Sequence, residues 1–308
     1  MAGIGHAPDI VKSGLDEIFY GKYERQLAPS FTSVFDPMVF RQKTSMRDGE
    51  NTEVFAGTGI WGESQAEQGK PDDTEFQVGQ ARYIQNRQWF QDLPIANTLM
   101  EDDQYGVIQE AVAGMGDKAY LTQQIEGMGL YRNAFGSTLT NDGVSLISAS
   151  HVNLNGDTVS NLLTGDLTPD NLEEGISRAA EQVDQRGEVT GFMPKVLLVP
   201  HRLWKTAIEI TKSELISDSA NNAINWFSSE FNLIVKMSAY LGAVQGGSDT
   251  AWFLLGDSHT VIRQERLPVT TEYVEPKYND GYTAKYRGRY RETYAAITYE
   301  QILGSTGL

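Results

Sequence analysis

The sequence predicts an α+β fold, and three observations support this prediction. A tyrosine-rich stretch near the C-terminus has the periodicity of a long β ribbon, and a glycine-containing segment around residue 115 has that of a long helix. Between them lies a block in which helices and strands alternate. The 308 residues are 40% hydrophobic and 21% charged, which is typical of a globular protein with a substantial core.

The stretch Tyr273–Tyr299 contains seven of the 14 tyrosines. Because side chains alternate between the faces of a strand, an extended conformation separates an aromatic face from a cationic face. The aromatic face carries Tyr282, Tyr286, Tyr290 and Tyr294, and the cationic face carries Lys285, Arg287, Arg289 and Arg291. Asn279–Gly281 favours a turn, which predicts strands over 268–278 and 282–300. The cationic face suits a large protein contact, and an ordinary hairpin packed on its own domain is the alternative.

The first 92 residues predict two protruding parts. Residues 1–47 predict an arm with a short helix, whose aromatic side chains pack along another surface. Residues 48–92 predict an extended hairpin loop with strands over 52–60 and 74–84. Its tip is acidic, since residues 48–75 contain eight carboxylates and one lysine. A two-stranded hairpin of this length is marginally stable, so we expect it to lie on a neighbour.

Residues 93–166 contain the strongest helical signal. Ile108, Val112 and Met115 share one face of a helix predicted over 98–135. Several glycines interrupt this segment, at 106, 114, 116, 127 and 129. Because each glycine costs about 1 kcal/mol relative to alanine, we expect close packing or a bend at these positions.

Residues 167–265 predict an inserted α/β module. Thr168 and Pro169 begin a helix that we expect to end at Gly187, and a buried strand covers 196–199. A helix from Leu203, a second helix over 223–227 and a strand over 231–237 follow. The segments 251–255 and 260–264 predict a further hairpin around Gly256. Residues 266–308 complete the C-terminal ribbon.

Composition excludes several classes of protein. The net charge of −16 argues against general nucleic-acid binding, and the lack of cysteine excludes disulfides and cysteine metal sites. No run of eighteen apolar residues and no signal peptide is present, so we expect a soluble protein made in a cytoplasm.

No catalytic, cofactor or metal site is predicted. Residues Gly57–Gly62 match the dinucleotide fingerprint by letter, but the following residues lack the helical pattern that places pyrophosphate on a helix N-terminus. Gly69 and Lys70 lack the remaining residues of a phosphate-binding loop. Ser258 and His259 resemble part of a hydrolase motif, yet a polar turn is the simpler interpretation. The four histidines have no partner at metal-ligand spacing.

The order of elements is an arm, a long hairpin, a long helix, an inserted α/β module and a final ribbon. This order resembles the major capsid (head) protein of tailed bacteriophages, whose fold is shared with encapsulins. The runs at 193–200 (MPKVLLVP), 252–257 (WFLLGD) and 286–291 (YRGRYR) also carry the resemblance. It implies a peripheral domain built from 93–166 and 266–308, with the long helix as its spine, and an axial domain at 167–265. It also implies that the arm and hairpin lie across neighbouring subunits.

The resemblance implies a structural protein without catalysis or cofactor. Such a chain assembles into hexamers and pentamers of an icosahedral head around double-stranded DNA, is formed in the host bacterial cytoplasm and resides in the virion. Implied partners are other copies, a separate scaffolding protein, a portal and a decoration protein, with no membrane and no sequence-specific DNA contact. The candidate inter-subunit contacts are Glu63, Glu67, Asp72, Asp73, Arg82, Arg287, Arg289 and Arg291.

Three alternatives stay open at the level of the sequence. One is a cytosolic α/β hydrolase-like enzyme that uses Ser258 and His259 in the 167–265 module. An encapsulin-type compartment shell shares the predicted architecture. A phage tail or decoration protein would form tubes or trimers instead of shells.

Overall fold

The computed structural model describes residues 8–27, 32–44, 52–55, 80–96, 105–213, 231, 233–275 and 283–308. Within these ranges, four α-helices and thirteen strands form two main sheets and two small ones. The helices are α1 (Pro8–Leu27), α2 (Tyr105–Arg132), α3 (Pro169–Ala180) and α4 (Trp204–Lys212). The strands are β1 (Arg41–Thr44), β2 (Thr52–Phe55), β3 (Arg82–Gln85), β4 (Arg87–Ala96), β5 (His151–Val152), β6 (Thr158–Val159), β7 (Leu162–Leu163), β8 (Val196–Pro200), β9 (Ile234–Ser238), β10 (Trp252–Leu255), β11 (Val261–Val274), β12 (Thr283–Ala296) and β13 (Ile302–Ser305). The fold is α+β, as predicted.

The predicted ribbon forms the centre of a four-stranded sheet with the order β1-β11-β12-β4. β11 and β12 pair antiparallel over almost their whole length, β4 extends the sheet antiparallel to β12, and β1 joins β11 in parallel. The two ribbon strands are confirmed, although the first begins at Val261 instead of residue 268. The predicted turn at Asn279–Gly281 lies outside the described residues.

Edge strand β4 was absent from the sequence-based prediction, which placed residues 48–92 in the hairpin loop. The structure instead shows residues 87–92 as the first part of β4. Most of this strand is exposed on both faces, and only Ile95 is fully buried. A strand without hydrophobic alternation, and with a proline at position 94, carries little strand signal in the sequence.

Helices α1 and α2 cover the aromatic face of the ribbon. Leu15, Phe19 and Tyr23 recur every four residues along α1 and pack against Met115 of α2 and Tyr286 of β12. The predicted arm therefore contains a helix of 20 residues that lies on its own chain. Its aromatic side chains are buried because they complete this core, which explains why so many occur near the N-terminus.

The prediction for the long helix is confirmed over 105–132, and residues 97–104 lie outside the described residues. Two of its glycines mark close packing. A Cβ atom at Gly116 would lie 2.7 Å from the carbonyl oxygen of Phe19 in α1, and one at Gly127 would lie 2.4 Å from Cγ1 of Val34. Gly106 and Gly114 face open space, so the expectation of close packing holds only for part of the set.

The α/β module is built on a five-stranded sheet with the order β7-β13-β10-β8-β9. β8 and β9 are parallel, and every residue of β8 is buried. The Thr168 hydroxyl accepts a hydrogen bond from the Asn171 amide and caps α3, as the sequence predicts. Leu172 and Ile176 of α3 pack with Trp252 on one face of the sheet. The helix predicted over 223–227 lies outside the described residues.

Three local predictions in this region are wrong. Segments 251–255 and 260–264 do not pair as a hairpin, because β10 pairs with β8 and β13 while β11 enters the ribbon. Helix α3 ends at Ala180 instead of Gly187, which lies in a turn with φ of 83°. Residues 302–305 leave the ribbon and form β13 in the five-stranded sheet. Each error concerns long-range pairing or chain reversal, to which local periodicity is insensitive.

The close contact at Gly116 gives a test of the α1–α2 packing. We expect Gly116→Ala to destabilise the subunit by about 1–3 kcal/mol, because the new methyl group displaces backbone of α1. Gly114→Ala is the matched control and should stabilise it by roughly 0.5–1 kcal/mol through helix propensity alone. Urea denaturation of the purified subunit measures both changes, and equal stabilisation by the two variants would contradict this packing.

Candidate inter-subunit surface

The second face of the ribbon is cationic and is not covered by α1 or α2. Alternation in β12 buries Tyr286 and Tyr290 and leaves Arg289 exposed on the opposite face. The strand register places Arg289 opposite Phe90 of β4, and the Phe90 side chain is 69% exposed. The sequence-based assignment of an aromatic and a cationic face is therefore confirmed for the described residues, whereas Tyr282 lies outside them.

The three predicted ribbon arginines differ in their surroundings. Arg287 forms two hydrogen bonds to Asp92 of β4, with Nε–Oδ1 and Nη2–Oδ2 distances of 2.7 and 2.8 Å. These hydrogen bonds lower the pKa of Asp92. Arg289 is exposed and forms no ion pair with a described residue, and Arg291 is half-buried. Arg289 is thus the side chain best placed to receive a carboxylate from outside this chain.

Arg82 lies apart from this face, at the root of the hairpin. Its Nη1 atom donates to the carbonyl oxygen of Thr140 at 2.8 Å, and burial lowers its pKa. The structure therefore separates Arg82 from the ribbon arginines with which the sequence groups it. The acidic candidates Glu63, Glu67, Asp72 and Asp73 lie outside the described residues.

The root of the hairpin is fixed to the sheet. β2 pairs antiparallel with β3, and Ile84 packs against Ile262 and Ala295. Glu53 accepts a hydrogen bond from Nε2 of Gln264 at 2.7 Å and pairs with Lys43 at 3.3 Å. The antiparallel strand pairing is confirmed at the root, and the remainder of both predicted strands, 56–60 and 74–79, lies outside the described residues.

A buried polar cluster joins the ribbon to the helices. The Arg263 guanidinium donates to Oε2 of Glu292 through Nη2 at 2.7 Å, and these side chains are 7% and 2% exposed. Gln123 of α2 and the Tyr294 hydroxyl also donate to the Glu292 carboxylate, at 3.2 and 2.9 Å. Burial raises the pKa of Glu292, and the charge of Arg263 opposes that shift. The cluster fixes the ribbon against α2 at a single position.

The residues of the enzyme alternative do not form a catalytic pair. Ser258 is exposed, and its amide donates to Gln301 at 2.8 Å. The His259 ring is buried, with Nε2 at 3.1 Å from the Met38 carbonyl oxygen, and burial lowers its pKa. The fingerprint match Gly57–Gly62 and the Gly69–Lys70 pair lie outside the described residues. Within the described ranges, no group of His, Asp and Glu side chains has the geometry of a metal site.

His151 is paired with a carboxylate. Its Nδ1 atom donates to Oδ2 of Asp142 at 2.7 Å, and both side chains are almost completely buried. Burial acts to raise the pKa of Asp142, but hydrogen bonds from His151, the Thr140 hydroxyl and the Val144 amide outweigh it and lower the pKa to about 2. The His151 ring also stacks on Tyr299 with the centroids 4.3 Å apart. This pair holds together the loops between α2 and α3.

The family model for phage capsid proteins matches residues 91–301, more than half of the chain. The chain belongs to the phage capsid protein family. It is a structural protein, a major capsid subunit and hence a component of a virion, which confirms the resemblance inferred from the sequence. A comparison with curated proteins gave no match.

Solved capsid structures share the fold. The subunit of the bacteriophage PhiM1 mature capsid is 12% identical with a TM-score of 0.56, covering 91% of this capsid protein and 89% of that chain. The capsid of Ralstonia phage GP4 is 12% identical with a TM-score of 0.53, covering 89% and 88%. A virus-like particle from Pyrococcus furiosus is 8% identical with a TM-score of 0.52, covering 95% and 98%. In the described part of the capsid protein, no helix has the length and apolar character of a membrane span.

The buried cluster predicts a large effect of neutralising Glu292. We expect Glu292→Gln to destabilise the subunit by roughly 3 kcal/mol, because it removes the buried partner of Arg263 and leaves only the partly exposed Glu265 carboxylate beside that guanidinium. Glu272→Gln, on the exposed face of β11, is the control and should change stability by less than about 0.5 kcal/mol. Urea unfolding followed by tryptophan fluorescence measures both. A Glu292→Gln subunit as stable as the control would show that the ion pair contributes nothing.

The lowered pKa of Asp142 predicts a pH dependence. An unfolded aspartate has a pKa of about 3.9, so this carboxylate stabilises the folded subunit above about pH 4 and loses that effect as the pH falls toward 2. We expect Asp142→Asn to be less stable than wild type by on the order of 2 kcal/mol near neutral pH, with the difference shrinking in acid. Unfolding midpoints measured between pH 6 and pH 3 test this. A difference that does not change with pH would contradict the assignment.

Proposed function

We propose that this capsid protein assembles into the hexamers and pentamers of an icosahedral head that encloses double-stranded DNA. The observation that carries the proposal is the exposed cationic face of the ribbon, at Arg289, in a chain of net charge −16. Residues 48–75 of the same sequence contain eight carboxylates and one lysine. One copy therefore offers both partners of a complementary contact, which is the requirement for a lattice of identical subunits.

In this proposal, the acidic hairpin of one copy contacts the cationic ribbon face of the next. Glu63, Glu67, Asp72 and Asp73 supply the carboxylates, and Arg287, Arg289 and Arg291 supply the guanidinium groups. The contact is heterologous, since different surfaces of the two copies meet, and repetition around an axis closes a ring. The anchored hairpin root supports this arrangement, because Glu53 and Ile84 hold the start of the hairpin on the sheet.

The two sheets suggest how the subunit is oriented in a capsomer. We assign the four-stranded sheet with α1 and α2 to a peripheral domain and the five-stranded sheet with α3 and α4 to an axial domain around the capsomer centre. This division differs from the predicted boundaries at 93–166, 167–265 and 266–308 in three places: β7 and β13 belong to the axial sheet, and β11 of the peripheral sheet begins at Val261. Of the predicted arm 1–47 and hairpin 48–92, this assignment places α1, β1 and the start of β4 in the peripheral domain.

Charge also bears on the contents of the head. A wall with net negative charge repels DNA phosphates, so the DNA is enclosed without sequence-specific binding. A separate scaffolding protein directs assembly in the host cytoplasm, and a portal and a decoration protein complete the head. Regular shells formed by the pure protein alone would count against the separate scaffolding protein.

Assembly of charge-reversed variants tests the proposal. We expect protein purified from producing bacteria to contain shells or hexameric and pentameric capsomers, visible by electron microscopy and sedimentation. Arg289→Glu should greatly reduce these assemblies, because a loss of about 1 kcal/mol at each contact recurs around every ring. Lys205→Glu, an exposed charge on α4, is the control and should assemble normally.

Two results would contradict the proposal. One is a wild-type protein that forms only a small fixed oligomer, as an enzyme would. The other is an Arg289→Glu variant that assembles as efficiently as wild type at low ionic strength, where exposed charge pairs act most strongly.

A further inference from the structure

A long groove runs between α2 and the edge of the ribbon sheet. Two cavities of about 410 and 530 Å³ form it, and Trp89 of β4 lines both. Among the α2 residues that line them, five recur every three or four positions and thus form one stripe of the helix: Met115, Ala119, Thr122, Glu126 and Gly129. At 1.5 Å per residue, this stripe is about 21 Å long.

The two halves of the groove differ in chemistry. The half near the start of β4 is lined by three arginines, Arg82, Arg87 and Arg132, and by two carboxylates, Glu126 and Glu292. Glu292 is already paired with Arg263, so positive charge is in excess in this half. The half further along β4 is apolar, and Phe19, Met115 and Tyr290 surround it. A segment that fits the groove therefore presents a carboxylate at one end and large apolar side chains at the other.

The groove borders an unpaired strand edge. β4 is the last strand of the sheet, and among the described strands it pairs only with β12. Its outer hydrogen-bonding groups can receive one more strand, as exposed edges do when they bind extended peptides. Pro94 interrupts this edge, which leaves residues 87–93 as the pairing segment. A matching strand is therefore about seven residues long.

One segment of this protein has the required pattern. In residues 72–78, with the sequence Asp-Asp-Thr-Glu-Phe-Gln-Val, alternate positions differ in character. One face of a strand would carry Asp72, Thr74, Phe76 and Val78, and the other would carry Asp73, Glu75 and Gln77. The first face has a carboxylate at one end and two apolar side chains at the other, and the second face is acidic.

We infer that residues 72–78 of a second copy add to β4 as a parallel strand. In this register, Asp72 meets the arginine-rich half of the groove beside Arg87 and leaves the ribbon arginines to the other hairpin carboxylates. Phe76 and Val78 fill the apolar half. Glu75 then lies beside Phe90 on the face of the sheet that points away from the groove. Arg289, which is opposite Phe90 in β12, lies on the same face. A shift by one residue would exchange the two faces and place carboxylates in the apolar half, so the register is strongly specified.

The order of residues indicates a second copy instead of the same chain. Arg82 lines the arginine-rich half, and Val78 precedes it by only four residues, or at most about 14 Å of extended chain. The chain's own segment would thus bring Val78 to the arginines and Asp72 to the far end. This inference rests on the proposed head assembly and specifies how its acidic hairpin is held.

Cysteine crosslinking tests the inference directly, because the chain contains no cysteine. Glu75→Cys and Phe90→Cys are made as separate single variants and mixed under assembling conditions with mild oxidation. Neighbouring strands bring such residues within disulfide distance, so we expect a disulfide-linked dimer from the mixture. Thr74→Cys mixed with Phe90→Cys is the matched control. This mixture should form no disulfide-linked dimer, because the side chain at position 74 faces the groove and the one at position 90 faces away from it.

The outcomes separate this inference from the proposed function. A double variant with both Glu75→Cys and Phe90→Cys is made as well, and a disulfide that forms only within one copy of it overturns the second-copy assignment. Equal crosslinking by Thr74→Cys and Glu75→Cys overturns the register. Assembled particles without the crosslink overturn strand addition and leave the head assembly intact, whereas a wild-type protein that never assembles overturns the head assembly itself.

A competing peptide provides a second test that needs no further variant of the subunit. A synthetic peptide of residues 71–80 should suppress the Glu75–Phe90 crosslink by occupying the edge of β4. The same peptide carrying Asp72→Asn and Phe76→Ala should be weaker by roughly tenfold or more, because it lacks both anchors of the groove. Equal potency of the two peptides would overturn the assignment of Asp72 and Phe76.

Discussion

The buried ion pair between Arg263 and Glu292 is the constraint on which the arrangement of the subunit depends. A charge removed from water is costly unless it is paired and hydrogen-bonded, so these two side chains tolerate few alternative arrangements. Gln123 and Tyr294 donate further hydrogen bonds to the Glu292 carboxylate. The side-chain oxygen of Gln42 in β1 accepts a hydrogen bond from Arg263 at 3.1 Å. Groups from α2, β1, β11 and β12 thus meet at one point. The Tyr23 hydroxyl of α1 reaches the same cluster by donating to Gln123 at 2.8 Å.

This fixed junction determines which face of the ribbon is covered. With β12 held against α2 at Glu292, alternation along the strand directs Tyr286 and Tyr290 into the helices and Arg289 away from them. The aromatic face is stabilised within one chain by hydrophobic burial. On the cationic face, Arg287 pairs with Asp92 of its own chain, whereas Arg289 has no carboxylate partner among the described residues. The surface available to other copies is therefore a consequence of how the core is closed.

The distribution of charge agrees with assembly from identical subunits. The protein as a whole is strongly acidic, yet four basic side chains alternate along β12, and residues 48–75 contain eight carboxylates against one lysine. Such separation favours contact between unlike surfaces of different copies and disfavours contact between like surfaces. It also makes the contact sensitive to salt, because exposed charges are screened within about 10 Å at 0.1 M ionic strength. Burial of Phe90 in the same contact would add a hydrophobic contribution to the binding free energy, which salt does not weaken.

The sequence by itself determined the elements whose signal is local. The ribbon strands, α2, β8 and the Thr168 cap follow from periodicity or capping chemistry within a few neighbouring residues. The two faces of β12, and with them Arg289, follow in the same way, because alternation is a property of one strand. The class of protein was also accessible, since the order of these elements is itself distinctive.

Only the tertiary structure decided which strands are neighbours. β4 becomes part of the surface by pairing with β12, almost two hundred positions later in the chain. That pairing places Phe90 beside Arg289 and Arg87 beside Glu292. The same applies to β13, which joins the axial sheet, and to His259, whose partner is the carbonyl oxygen of Met38. The physical reason is that strand pairing and side-chain burial depend on residues far apart in the chain, whereas periodicity reports only which side of an element is apolar.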